Sequence, residues 1–210
     1  SLPLVALTTV QALVDRAKAR PGQRILIHAG SGGLGSFAIQ YAHRVLGLHV
    51  TTTTSSRNAE WVGALGAERV ICYDREDYLQ DAARYDIVFD TLGGKTTADS
   101  FRVVKPAGVV VSVAGPPDRD FARQVGAGPL VRVAMHFMNR PIYRLARQAK
   151  ARYFRFLTES DGEQLGRIAA VVESGKVKPV IDRSYPFLQL VQAMEAVAAG
   201  RSKGKVVLEW

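Results

Sequence analysis

One stretch constrains this 210-residue chain more than any other: Arg24-Ile25-Leu26-Ile27-His28-Ala29-Gly30-Ser31-Gly32-Gly33-Leu34-Gly35. A β-rich apolar run stops at a glycine cluster, and a helical pattern begins at once. Leu34, Phe37, Ala38, Tyr41 and Val45 fall on one face at the helical period. Gly30, Gly32 and Gly35 have the G-x-G-x-x-G spacing. In that arrangement Gly30 allows the tight turn. Gly32 lets the main chain approach a pyrophosphate with no Cβ in the way, and Gly35 lets the helix pack close to the strand. The helix N-terminus then points unpaired N–H groups at the phosphates. A second β-rich run, His49-Val50-Thr51-Thr52-Thr53-Thr54, follows Gly47 and completes a βαβ unit. The expected ligand is a dinucleotide; the alternative is a turn that is structural only.

The rest of the chain repeats the rhythm. Strands are expected at 24–29, 49–54, 69–73, 86–91 and 108–114, and helices at 8–19, 33–46, 57–65, 76–84 and 96–105. Val10, Leu13, Val14 and Ala17 face inward from the first helix, which Pro21-Gly22 stops. Strands alternating with helices imply a parallel sheet covered on both faces. The uninterrupted runs Ile25-Leu26-Ile27 and Val109-Val110-Val111 suit such burial. Pro106-Ala107-Gly108 marks a break. Residues 115–150 depart from the pattern: a loop at Gly115-Pro116-Pro117-Asp118, then a helical pattern over 129–150 interrupted by Pro141. A sixth strand at 153–157 and a helix presenting Leu165, Ile168, Ala169 and Val172 follow. The chain ends on a strand (178–183), a helix (187–199) and a strand (204–209).

The fold class is therefore α/β, a doubly wound parallel six-stranded Rossmann sheet. Residues 1–177 form the dinucleotide-binding domain, with a basic helical insertion at 116–150. Residues 178–210 form a tail whose two strands have no place in six and need another sheet to join.

Composition narrows the class further. Apolar residues make up 47%, enough for a core, and no apolar run reaches the roughly 18 residues of a membrane span. Ser1 is not an initiator Met, and residues 2–7 already read as buried structure, so the start is expected to be cut from a longer chain. Cys72 is the single cysteine. It sits in an apolar strand and reads as a small buried thiol; internal disulfides are excluded, and a reducing, cytoplasmic setting fits. Cys72, His28, His43, His49 and His136 have no metal-ligand spacing. The net charge of +9 is concentrated. No acid occurs from Phe121 to Thr158, where Arg123, Arg132, Arg140, Arg144, Arg147, Lys150, Arg152 and Arg155 all lie. The overall basicity thus says little about nucleic acid. Segment 123–155 reads either as a solvated helical insertion covering a sheet edge or subunit interface, or as a basic amphipathic surface for a membrane.

The dinucleotide's identity is read at the end of the second strand. An acid about 20 residues past the glycines holds the ribose hydroxyls of NAD. Here the place reads Thr53-Thr54-Ser55-Ser56-Arg57-Asn58, with no carboxylate before Glu60. Hydroxyls plus a guanidinium suit a 2′-phosphate, and NADPH is favoured over NADH. Alternatively, Ser56 caps the next helix and Arg57 is merely solvated.

Several motifs in order carry a family resemblance over nearly the whole chain. They are Leu7-Thr8, His28-Ala29-Gly30-Ser31-Gly32-Gly33-Leu34-Gly35, Leu65-Gly66-Ala67 before Val70-Ile71-Cys72-Tyr73, and Asp86-Ile87-Val88-Phe89-Asp90-Thr91-Leu92-Gly93-Gly94. Pro106-Ala107-Gly108, Gly175 to Arg183 and Gly204-Lys205-Val206-Val207 complete the set. The chain resembles the coenzyme-binding half of medium-chain dehydrogenases/reductases, in the branch of zinc-independent, NADPH-dependent quinone oxidoreductases. The resemblance implies that Gly32, Gly33 and Leu34 offer amides to the pyrophosphate. It places Thr8 near the nicotinamide carboxamide and Val113-Ala114-Gly115 along the nicotinamide pocket. Tyr73 would sit by the 2′-phosphate, or else be a core tyrosine. Many relatives carry Lys where this chain has Asn58, with Arg57 one position away as a substitute. The resemblance further implies a missing amino-terminal catalytic domain to which the tail belongs, a quinone or α,β-unsaturated carbonyl substrate, and a homodimer in the intact protein. No residue in this segment stands out as catalytic: Asp86 and Asp90 flank one strand, and Tyr78 and Tyr85 have no acid–base partner. Two other classes are a non-enzymatic NAD(P) sensor or scaffold, and a zinc-type alcohol dehydrogenase relative. The absence of Cys and His from residues 1–20 argues against the second.

Overall fold

A computed structural model describes residues 2–81, 84–117, 119–200 and 202–210. Six strands make one parallel sheet: β1 (Arg24–Ile27), β2 (His49–Thr54), β3 (Arg69–Cys72), β4 (Tyr85–Asp90), β5 (Val104–Ser112) and β6 (Arg152–Arg155). Their spatial order is β3-β2-β1-β4-β5-β6. This is the doubly wound order, in which the strand sequence reverses between β1 and β4 and opens a crevice at their carboxyl ends.

Side-chain alternation divides the core between the two faces. Ile25, Ile27, Ile87, Phe89, Val109 and Val111 pack on one side, under α2 (Gly35–Arg44) and α3 (Ala59–Ala64). Leu26, Val88 and Val110, one residue out of phase, pack on the other against Phe101, Ile142 and Ala146. Those residues come from α4 (Lys95–Val103) and α7 (Arg140–Gln148). The period-2 alternation of a strand turns each uninterrupted apolar run into two buried faces.

A third cluster joins α1 (Pro3–Val10) to α2 and α8 (Gly162–Glu173) through Val5, Val10, Phe37, Tyr41 and Ile168. The first helix begins earlier than its apolar spacing predicts, because Pro3 occupies the first turn, where no N–H is needed. It continues as a π-helical turn over Gln11–Arg16. Ala17 N–H bonds Ala12 O, five residues back. That wider turn shifts the helical phase and leaves Val14, expected inside, 37% exposed. In α8 Val171 and Val172 pack inward and Ala169 faces out.

The helix expected at 76–84 is a single 3-10 turn, Tyr78–Gln80; Ala82 and Ala83 lie outside the described residues. The Asp77 carboxylate accepts the Leu79 N–H at 2.9 Å, a local turn that competes with the helix. The break expected at Pro106-Ala107-Gly108 lies inside β5 as a bulge. Ala107 takes φ 63°, and the register with β4 jumps from Tyr85–Val104 to Ile87–Val109. Cys72, expected buried, is only partly so.

The insertion holds α5 (Arg119–Gln124), α6 (Pro129–Met138) and α7, with the helical break at Asn139. The loop expected at 115–118 is described as far as Pro117; Asp118 lies outside the described residues. In the tail, β7 (Ile181–Pro186) and β8 (Lys205–Glu209) flank α9 (Leu190–Ala198) and pair with each other in parallel as a separate two-stranded sheet. The tail is tied to α2: buried Gln40 donates to Lys178 O at 2.9 Å and accepts the Lys178 N–H at 3.0 Å.

Candidate dinucleotide site

The glycine turn sits at the crevice, at the carboxyl end of β1. Gly30 donates its N–H to Thr53 O at 2.9 Å, and a Cβ on Gly30 would stand 2.3 Å from Thr52 Oγ1. The tight turn expected of Gly30 is made by Ala29 instead, at φ 55°. What requires glycine at position 30 is the close passage of β2. Gly35 is constrained more severely, since its Cβ would lie 2.2 Å from Ala29 O. Among the described residues, the Leu34 N–H has no internal partner, while Gly33 turns its N–H toward Gly204 across a strand bridge. The Leu34 N–H stands free at the start of α2, where peptide dipoles favour an anion.

The tail lies directly on this turn. Gly204 donates to Ser31 O at 2.9 Å and forms a parallel bridge with Gly32. A Cβ on Gly33 would meet Lys205 Cδ and Cε at 2.8 Å. Burial pushes the Lys205 ammonium below its usual range. The aliphatic stem of Lys205 thus lies against the turn. Its motif was visible in the sequence, but its position depends on a long-range contact that no local spacing encodes.

At the end of β2, Thr54 and Ser55 are buried, and the Thr54 hydroxyl has no partner among the described residues. Asn58 faces inward: its amide donates to Ser55 Oγ at 3.2 Å and accepts from Trp61 Nε1 at 3.1 Å. Ser56 does not cap the following helix with its hydroxyl. Its N–H and Oγ donate to the two Asp74 oxygens at 2.9 and 2.6 Å, which holds that carboxyl below the usual range. Arg57 is exposed with no acidic partner among the described residues. Tyr73 is not a core residue; it is 64% exposed and joined to this corner through its N–H to Thr54 O, 3.0 Å.

At the end of β5, Ser112 Oγ accepts the N–H groups of Ala114 and Gly115 at 3.2 and 2.7 Å and donates to buried Asp90 at 2.8 Å. Asp90 also accepts from Leu92 N, Gly93 N and Thr97 Oγ1. One carboxylate thus sets the β4 and β5 loops, including Val113-Ala114-Gly115. Thr8 lies on α1 with its hydroxyl donated to Leu4 O and accepting from Thr158, both at 2.6 Å.

His28, beneath the turn, is 1% exposed. Its Nδ1 lies 3.2 Å from Thr53 Oγ1, and Nε2 has no partner among the described residues. Burial lowers its pKa from 6.5 to about 4, partly offset by the Asp90 carboxylate. The unfolded imidazole therefore takes up a proton near pH 6.5 while the folded one does not. Stability is complete above that pH and is lost as pH falls towards 4, by about 3 kcal/mol from this group. Urea midpoints across that interval check it, and His28→Leu should flatten the dependence.

Residues 65–208 match the family model described as "Zinc-binding dehydrogenase". The chain is 33% identical to 2-methylene-furan-3-one reductase of Solanum lycopersicum, over 99% of this chain and 45% of that protein. It is 32% identical to the NADPH-dependent alkenal/one oxidoreductase of Arabidopsis thaliana, over 99% of this chain and 45% of that one. The solved quinone oxidoreductase of Coxiella burnetii superposes with a TM-score of 0.81 at 32% identity, covering 99% of this chain and 59% of that one. The chain spans about half the length of the curated relatives it matches. The family's description names zinc; among the described residues no three His, Cys, Asp or Glu side chains gather into a ligand set. Sequence match, strand order and glycine turn agree: the chain belongs to the zinc-binding dehydrogenase family of medium-chain dehydrogenases/reductases, among relatives that include quinone and alkenal/one oxidoreductases.

Proposed function

We propose that this chain is the coenzyme-binding part of an NADPH-dependent oxidoreductase that reduces a quinone or an α,β-unsaturated carbonyl without zinc. The observation that carries the reading is the unpartnered Leu34 N–H at the start of α2, in a glycine turn with Lys205 laid beside it. Bound NADPH supplies a hydride from its nicotinamide; the protein supplies orientation and electrostatics.

In this reading the Gly32-to-Leu34 main chain and Lys205 hold the pyrophosphate. Thr54 and Ser55 offer hydroxyls to the adenosine ribose, and Asn58 fixes Ser55 from behind. Arg57 pairs with the 2′-phosphate beside Tyr73. The loop 113–115 walls the nicotinamide, near which Thr8 contributes from α1. The substrate pocket is completed by chain beyond these residues, as a homodimer in a reducing compartment such as the cytoplasm.

Parallel titrations with NADPH and NADH test the cofactor. NADPH should bind at least about tenfold more tightly, and Arg57→Ala should remove most of that preference, since a charge-assisted phosphate contact contributes about 1.5–3 kcal/mol. Trp61 is a built-in reporter through its hydrogen bond to Asn58. Equal affinities, unaffected by Arg57→Ala, would remove NADPH from the proposal.

A further inference from the structure

Helix α6 carries its apolar face outward. At the helical period Val133, Phe137, Leu130, Ala134, Met138 and Val131 share one broad arc. All six are exposed, Leu130 and Met138 by 86% and 77%. The opposite side carries Arg132, whose Nε donates to Ala127 O at 2.7 Å, and His136, stacked on Tyr143 at 5.4 Å. A surface helix ordinarily does the reverse, so α6 is built to place apolar side chains against something outside the fold.

The surroundings specify the charge of that partner. Next to α6, a hollow of about 740 Å³ is lined by Arg140, Arg144 and Arg147 of α7. None of the three has a carboxylate partner among the described residues. The Arg140 guanidinium lies 4.3 Å from the centre of the Phe137 ring, joining the basic and apolar patches. No acid occurs between Phe121 and Thr158. A symmetric contact with a second copy would press two acid-free segments together, and their like charges would repel. Nucleic acid would leave the aliphatic side chains of α6 without a counterpart, since such interfaces are polar. An anionic bilayer satisfies both halves: aliphatic side chains enter the acyl boundary while guanidinium groups pair with lipid phosphates.

We propose that α6 and the arginines of α7 form a reversible docking surface for an anionic membrane. No helix among the described residues is long and apolar enough to cross one, so the contact is peripheral. It stands independently of the dinucleotide site.

Sedimentation of the full chain with vesicles tests this. Phosphatidylcholine vesicles containing phosphatidylglycerol should bind it at least about tenfold better than phosphatidylcholine alone, with the difference falling at high salt. Arg140→Glu/Arg144→Glu/Arg147→Glu should abolish the preference for anionic lipid. Leu130→Asp/Met138→Asp, at positions too exposed to disturb folding, should also reduce binding at least about tenfold; circular dichroism confirms the fold. Inorganic phosphate at matched ionic strength should leave vesicle binding unchanged. Equal binding to both lipids, or indifference to both variants, would overturn the proposal. So would displacement by phosphate, which would mark a small-anion site. A dimer that Leu130→Asp/Met138→Asp splits, without vesicle binding, would assign the face to a second copy instead.

Discussion

Gly35→Ala should destabilise the chain by about 3 kcal/mol and lower dinucleotide affinity by more than about tenfold. The added Cβ would stand 2.2 Å from Ala29 O and 2.8 Å from Gly30 Cα. Both neighbours are main chain, so no rotamer change relieves the overlap. The turn and the start of α2 must separate, and α2 is anchored by Phe37, Ala38, Ile39 and Ala42 in the core. Overpacking a well-filled interior typically costs about 1–3 kcal/mol, and a clash against backbone lies at the upper end. Separation also displaces the main chain of Gly33 and Leu34, so affinity falls together with stability. Gly166→Ala is the control: it lies within α8 with nothing inside 4 Å, and removing a helix-interior glycine there should stabilise by up to about 1 kcal/mol. Urea unfolding of both variants, with nucleotide titration of the folded fraction, decides the matter. An unchanged midpoint for Gly35→Ala would mean the turn and helix are not tightly coupled.

Asp90→Ala should produce a loss of similar size, about 3–5 kcal/mol, by a different route. The carboxylate is fully buried and accepts from two main-chain N–H groups and two hydroxyls. Truncation strands those donors away from water, and breaking a buried charged network is among the most damaging single changes. Asp90→Asn should be milder, because it keeps one oxygen for Leu92 and Gly93 and replaces only the acceptor shared by Thr97 and Ser112. Ser112 loses its anchor in both variants, so the 113–115 loop loosens and nucleotide affinity falls without any contact between Asp90 and the ligand. Thermal melts of the two variants should rank in that order; equal stability of Asp90→Ala and the parent would refute the network.

Much of the sheet was legible because its signals are local. The strand runs and the glycines between them need only short-range periodicity, and a parallel, doubly wound sheet follows from alternating strands and helices. The segment 76–84 and the start of the first helix depart from their apolar spacing for equally local reasons: an aspartate turn and a proline that begins rather than interrupts. The site was legible as a corner of the fold rather than as a set of contacts. Asn58 was placed there by its position in the motif, but its amide is already occupied by Ser55 and Trp61. Asp74 pairs with Ser56 only because β2 and β3 lie side by side. Asp90 looked like the end of a strand; its role depends on donors brought by α4 and β5. The basic segment was evident from composition, while the outward direction of the α6 apolar face depends on which side of a helix meets the fold.

The bridge between Gly32 and Gly204 also has a meaning in time. Residues 30–35 emerge from the ribosome early, while Gly204 and Lys205 are added some seconds to tens of seconds later at typical synthesis rates. The proposed phosphate cradle is therefore made in two instalments from widely separated parts of the chain. A nascent chain can lay down the sheet and the turn, but Lys205 and the strand that cover the turn arrive only with the tail. In the proposed function, cofactor capture follows synthesis of that tail, and the dinucleotide stabilises the finished fold rather than guiding its first steps.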